Sequence, residues 1–317
     1  MGKCLYCYQA VDGAETDFHP ACIKKMFGIQ TVPEIDFDLQ QLEELAKQIV
    51  IKSVAVTGVQ PKLSLNLDKG SNGLSRLTIV GLQGDYILKP PSSEYNELPE
   101  NEDLTMHLAE LAKIKTAKHS LIRLNSGELA YLTKRFDREN GGKIAVEDFC
   151  QLSENLTEHK YRGSIEKVGK LANQFTANKG FEKQRLFEVV LFCYLTGNTD
   201  MHLKNFTLME NALAEYEFSP AYDLLNTALV IPDDKEESAL TINGKKSKLK
   251  LNDFNVLAGS LNINEKPLEH IYKRFTKLQP VFVAFIKQSF LSKEMQESYI
   301  AVLNENYKKL FYYNGKK

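Results

Sequence analysis

The chain has 317 residues, enough for two domains, and its 43% hydrophobic and 26% charged content excludes global disorder. With 40 Lys plus Arg against 41 Asp plus Glu, no net charge draws it to nucleic acid or to an anionic membrane. No apolar run approaches bilayer-spanning length. The start, "MGKCLYCYQAVDG", has no secretory apolar region and fits no myristoylation pattern, so the expected compartment is the cytoplasm.

Three of the five cysteines fall within the first 22 residues. Cys4 and Cys7 form C-x-x-C, and His19 and Cys22 form H-x-x-C. Three thiolates and an imidazole in a reducing compartment make a closed, tetrahedral zinc set. About thirty residues bury too little surface to fold alone, so metal would supply the missing stability. A redox C-x-x-C is the competing reading. Residues 1–30 are thus expected to form a zinc-binding cap.

Residues 33–48 carry apolar positions at helical spacing. "VAVTGVQPKLSLNL", "SRLTIV" and "DYILKPP" read as strands, and "PENEDLTMHLAELAKI" as a helix with an acidic first turn. Strand-like "HSLIRLN" and "LAYLTKRFD" follow, then "DRENGGK" as a charged hinge. Beyond it, helices are predicted near 163–176, 181–196, 251–258, 264–277, 279–291 and 293–312, with strands at "FTLM" and "AEYEF". The predicted organisation is α+β. A β-rich lobe spans 31–137 and a mostly helical lobe 138–317.

The stretch "LTGNTDMHLKNF" places Asp200, His202 and Asn205 directly after "FEVVLFCYL", the pattern of a buried helix. Asp200 and Asn205 stand as D-x-x-x-x-N, and "SPAYDLL" adds Asp223. This is the order of parts in protein-kinase-type phosphotransfer: a base for the acceptor hydroxyl, then two oxygen ligands for Mg²⁺. Lys89 ends a strand of the β-rich lobe, where a kinase carries its ATP lysine, and Glu102 is placed to pair with it. "TGVQPK" (Thr57, Gly58, Val59, Gln60, Pro61, Lys62) is a candidate phosphate loop. Lys134, Arg135 and Phe136 precede the hinge, and His202 is a phosphate-side candidate. Each has a plainer reading: a solvated lysine, a helix-start carboxylate, a loop histidine. The ordered set is far more specific than any member.

"TGVQPKLSL", "YILKPP", "KRFDR", "EDFCQL", "TGNTDMHLKNF" and "SPAYDLL" together resemble, in order, the motifs of HipA-like serine/threonine kinases, the toxins of bacterial toxin–antitoxin systems. The resemblance implies a two-lobed protein-kinase-like fold and Mg-ATP-dependent phosphorylation of a protein hydroxyl. In known members that hydroxyl lies on an aminoacyl-tRNA synthetase, and translation halts. Carried over by motif, Asp200 is the base, Asn205 and Asp223 bind magnesium, and residues 57–62, Lys89, 134–136, His202, Leu203, Lys204, Asn205, Tyr222 and Asp223 line ATP.

Two departures matter. Long members have a serine where this chain has Ala55. Thr57, a hydroxyl position of the shorter HipT-type kinases, therefore becomes the autophosphorylation candidate, with Ser53 as fallback. Long members also carry about a hundred further residues before this region. The expected partners are therefore a separately encoded small protein resembling that piece and a helix-turn-helix antitoxin, with no direct DNA binding by this chain. The rival functions are a small-molecule phosphotransferase of the aminoglycoside-kinase type, which usually has His where Asn198 stands, and a non-catalytic nucleotide-binding interaction protein.

Overall fold

The computed structural model describes residues 2–12, 16–42, 44–45, 62–69, 74–81, 83–139 and 141–312. The chain divides into two units, Met1–Asp103 with Ala117–Phe136, and Leu104–Thr116 with Asp137–Lys317.

The first unit is built on a six-stranded sheet in the order β3-β5-β4-β6-β8-β7. Its strands are β3 (Glu34–Ile35), β4 (Leu63–Lys69), β5 (Ser75–Val80), β6 (Tyr86–Lys89), β7 (His119–Arg123) and β8 (Leu129–Lys134). All pair antiparallel except β3 with β5. Alternation sets the faces: Leu63 and Leu65 of β4 are buried while Ser64 and Asn66 are half-exposed. Before β6, a Cβ on Gly84 would lie 2.5 Å from the Leu65 carbonyl oxygen, so only glycine allows this approach.

A small element precedes the sheet. It consists of β1 (Gly2–Lys3) paired with β2 (Ala10–Val11), followed by the helix Pro20–Phe27, which Gly28 ends in a left-handed conformation. The helix expected over 33–48 begins only at Leu39, with Asp38 and Gln41 exchanging capping hydrogen bonds of 2.8 and 3.0 Å. Upstream, Glu34 pairs with Arg76 in the sheet, and the Arg76 guanidinium also bridges to Asp36 at 2.8 Å. Sheet pairing there overrides the helical pattern.

The second unit is mostly helical: Ile165–Phe175, Lys179–Thr196, Leu251–Ser260, Glu265–Ile286 and Lys293–Tyr307. Its core is aromatic, with Phe187, Phe192, Phe254, Phe275, Phe282, Tyr299 and Tyr307 all buried. Phe192 meets Phe282 edge-on at 6.2 Å. The two helices predicted on either side of residue 278 are one, with Pro280 inside it. Its buried Phe275 and Phe282 continue a single packed face, which outweighs the hydrogen bond that Pro280 forgoes.

The expected hinge "DRENGGK" includes a hairpin, Arg138–Glu139 with Gly142–Lys143. The strand Val146–Asp148 and the short helix Phe149–Leu152, both unforeseen, lead on from it. Val146–Asp148 pairs with Thr207–Glu210, which pairs in turn with Tyr216–Phe218. No helix among the described residues is long and apolar enough to cross a membrane.

Candidate active site

The buried helix Lys179–Thr196 is the mount. It ends at Gly197 (φ 74°), where a Cβ would lie 2.7 Å from Asn226 Oδ1 and 2.8 Å from Val302 Cγ1. The Asn198 amide returns to the Cys193 carbonyl at 2.8 Å, closing the helix and turning the chain sharply. The polar residues that follow are pinned one by one. Asn198 Oδ1 accepts from the Asp200 amide at 3.1 Å, and Thr227 Oγ1 accepts from the Thr199 amide at 2.6 Å. The Asp200 carbonyl accepts from the His202 amide at 2.8 Å. A 3₁₀ turn over Leu203–Asn205 then feeds the strand Thr207–Glu210.

On this frame the Asn205 amide nitrogen lies 3.4 Å from Asp223 Oδ2, so residues eighteen positions apart in sequence face each other. Asp223 adopts φ 59°, a left-handed conformation that costs a non-glycine residue about 1–2 kcal/mol. Such strain is retained where a side chain must be aimed. An amide and a carboxylate are the hard oxygen donors that magnesium takes, so the pair fits that ion.

Asp200 is half-buried, and its Oδ1 accepts a 2.7 Å hydrogen bond from the hydroxyl of Tyr161, a residue 42% exposed. Burial and the adjoining Asp200 carboxylate push the Tyr161 phenol pKa upward, so it stays a donor. The Tyr161 segment is tied to the loop by the Leu203 amide, which donates to the Lys160 carbonyl at 3.1 Å. His202 stands edge-on to the Tyr161 ring at 5.2 Å. Burial lowers the His202 pKa, favouring the neutral ring, and its Nδ1 is buried with no hydrogen-bond partner among the described residues. A buried polar atom without a partner is uncommon, and this one lies on the Asp200 loop.

Other predicted contacts have a framework role in the structure. Lys204 bridges to Asp148 at 2.7 Å, tying the loop to the strand Val146–Asp148. The Tyr222 hydroxyl donates to the Lys204 carbonyl at 2.7 Å and lies 2.6 Å from Thr207 Oγ1. Leu203 is buried, and a Cβ on Gly163 would meet it at 3.6 Å.

In the first unit, Lys89 Nζ lies 2.6 Å from both carboxylate oxygens of Glu102, and both residues are buried. The structure brings these two predicted residues together. Lys89 also sits 5.4 Å from the Tyr131 ring centre. Lys134 lies 5.9 Å from the Tyr86 ring, the Arg135 amide donates to the Asp85 carbonyl at 2.8 Å, and Phe136 is half-buried. Lys62 is exposed just before β4. Thr57, Gly58, Val59, Gln60, Pro61, Ser53 and Ala55 lie outside the described residues.

The ligand atoms of Cys4, Cys7, His19 and Cys22 all lie within 4.8 Å of one another. His19 Nε2–H donates to the Ala10 carbonyl at 2.9 Å, while Nδ1 faces Cys7 Sγ at 3.4 Å and Cys22 Sγ at 3.9 Å. A ring that donates from one nitrogen presents the other as a lone-pair ligand.

Sequence reasoning missed Tyr161 and Asp148. Both act on the loop from some forty to sixty positions away; Asp148 lies within the motif "EDFCQL", which assigned it no role, and no local pattern marks Tyr161. The HipA-like C-terminal domain family model matches residues 54–281. The chain belongs to that family. It is 32% identical over 229 residues, 67% of this chain and 54% of the relative, to "Putative kinase Y4dM" of Sinorhizobium fredii. It is 27% identical over 210 residues, 60% of this chain and 47% of the relative, to the serine/threonine-protein kinase toxin HipA of Shewanella oneidensis. The chain thus spans about half the length of these relatives. Among solved structures it matches the Shewanella oneidensis complex of HipA, HipB and operator DNA, with TM-score 0.66 and 21% identity over 84% of this chain and 70% of that one. The fold is therefore that of HipA.

Proposed function

We propose that this chain is an Mg-ATP-dependent protein kinase acting on serine or threonine hydroxyls. Family membership gives the reaction class, and one observation carries the assignment of parts. Asn205 and a strained Asp223 face each other beside a loop on which Asp200 already receives a hydroxyl hydrogen bond. In the proposed step Asp200 takes the acceptor's proton as the acceptor oxygen bonds to the γ-phosphorus. The bond from that phosphorus to the β–γ bridging oxygen breaks, and ADP leaves. Asn205 and Asp223 would hold magnesium, which would supply neutralisation of phosphate charge. Lys89, oriented by Glu102, binds nucleotide phosphate, and neutral His202 offers its orphan nitrogen on the Asp200 loop.

By kinship, the acceptor is a protein such as an aminoacyl-tRNA synthetase, and the partners are a helix-turn-helix antitoxin and a small separately encoded N-terminal-like protein. Thr57, with Ser53 second, is the proposed autophosphorylation position; a phosphate there repels the phosphates of ATP. Cys4, Cys7, His19 and Cys22 hold a structural zinc, supported by the mutual approach of four ligand atoms and the His19–Ala10 hydrogen bond. Elemental analysis of fresh protein should give one zinc per chain; a substoichiometric content would remove this part.

The kinase assignment is tested with γ-labelled ATP and Mg²⁺, followed by mass spectrometry. Label should appear on Thr57 or Ser53, or on an added acceptor, and should vanish in Asp200→Ala. ATP binding without transfer under any condition would favour the interaction-protein alternative.

A further inference from the structure

We infer that the N-terminal metal knuckle is the clamp that fixes the Lys89–Glu102 pair, so that nucleotide affinity depends on the metal. The inference rests on the zinc reading above and extends it from local stability to control of the nucleotide lysine.

Three contacts leave the knuckle, one to the helix of Glu102, one to β7 and one to the strand of Lys89, and each starts beside a ligand or on a ligand's helix. Tyr8 follows Cys7 and holds φ 63°, with its amide donating to the Cys4 carbonyl at 2.9 Å. Its hydroxyl donates at 2.8 Å to Asp103 Oδ2, in a fully buried bond across 95 residues. Asp103 is the residue after Glu102 on the helix Leu98–Leu111, and its other oxygen lies 2.7 Å from His119 Nδ1. Leu5, between Cys4 and Cys7, accepts at its carbonyl from the Leu121 amide at 3.2 Å and the Ser120 hydroxyl at 3.1 Å. The Cys22 helix ends in Met26 and Phe27. The Met26 carbonyl accepts from the Tyr86 hydroxyl at 3.4 Å, and the Phe27 ring lies 6.1 Å from the Tyr86 ring. Tyr86 begins the strand that ends in Lys89.

The knuckle therefore touches the strand of the lysine at one end and the helix of its glutamate at the other. Two-residue strands and an eight-residue helix are marginal on their own, and a cross-link fixes such positions. Four metal–ligand bonds supply it, because the residues that make the contacts are neighbours of the ligands or share their helix. A lysine and a glutamate that must meet in a buried pair tolerate little displacement, and in kinase-type enzymes this pair must be in place for nucleotide chemistry.

Full-length protein as purified, the same protein after zinc removal by a tight chelator, and the variant Tyr8→Phe decide the matter. Tyr8→Phe keeps the ring packing and all four ligands, and should retain one zinc. The lost bond to a buried carboxylate should raise KM for ATP about tenfold with kcat at saturating ATP little changed. Zinc removal should weaken ATP binding at least as much, with recovery on adding zinc back. If Tyr8→Phe lowers Tm but leaves KM for ATP unchanged, or if the zinc-free protein binds ATP as before, the clamp is overturned while the zinc site stands. If fresh protein holds no zinc, the metal reading itself fails first.

Discussion

The two units handle their functional carboxylates in opposite ways. Glu102 is sealed with Lys89 at 2.6 Å, and its neighbour Asp103 is sealed between Tyr8 and His119. Asp200 is half-buried, and its partner is a tyrosine 42% exposed. A buried ion pair is costly to break from one side and so preserves a geometry. A hydroxyl bond at an open surface exchanges readily, as it must if an acceptor hydroxyl is to take the same oxygen. One unit holds its carboxylates sealed, and the other leaves one half-exposed under a hydroxyl.

Substitutions should separate the two kinds of carboxylate. The largest effect on turnover belongs to Asp200→Asn, which keeps the shape but removes the base: transfer should fall roughly 10²–10⁴-fold with Tm little altered, measured by labelled-phosphate transfer. Glu102→Ala should act on stability as well as on nucleotide binding. It leaves Lys89 buried without its carboxylate, and should cost about 3–5 kcal/mol in denaturant unfolding. A loss confined to activity, with stability intact, would show that the pair is less sealed than its burial implies.

Glu100 gives a pH signature in the first unit. Burial pushes its pKa from 4.5 up to about 7, helped by the charges of Glu97 and Asp103. The folded state then holds the proton more tightly than the unfolded state. Stability from this group is therefore complete below about pH 4.5 and is lost as pH rises through 7. The span is at most ~3 kcal/mol, and less with solvent screening. Glu100→Gln should flatten that slope in unfolding measured from pH 5 to 8.

The smallest effect is that of Tyr161→Phe, which removes the hydroxyl now seated on Asp200. It should lower KM for the acceptor and raise acceptor-free ATP hydrolysis a few-fold, the scale of one net hydrogen bond at a partly exposed site. A fall in kcat alone would mean that Tyr161 orients Asp200 rather than standing in for the acceptor.

Much of this was legible in the sequence where chemistry and spacing lie close together. "LTGNTDMHLKNF" after an apolar helix gave the loop, and Lys89 followed by Glu102 gave the buried pair. The four knuckle ligands fall in two short pairs, and they converge. What spacing does not encode is long-range placement. Tyr161 reaches Asp200 from the far side of a helix pair, Asp148 reaches Lys204 from a strand only three residues long, and Tyr8 finds Asp103 95 positions away. The run 33–48 shows the converse failure. Its helical period was real, but pairing of Glu34 and Ile35 with β5 claimed its first residues.

The most direct test follows the cation. Manganese can replace magnesium and be followed by electron spin resonance, with ATP titrated into the full-length chain. If Asn205 and Asp223 hold the metal on the nucleotide, bound manganese should appear only with ATP present and should disappear in Asp223→Ala. Equal binding in the variant and the native chain would contradict the assignment.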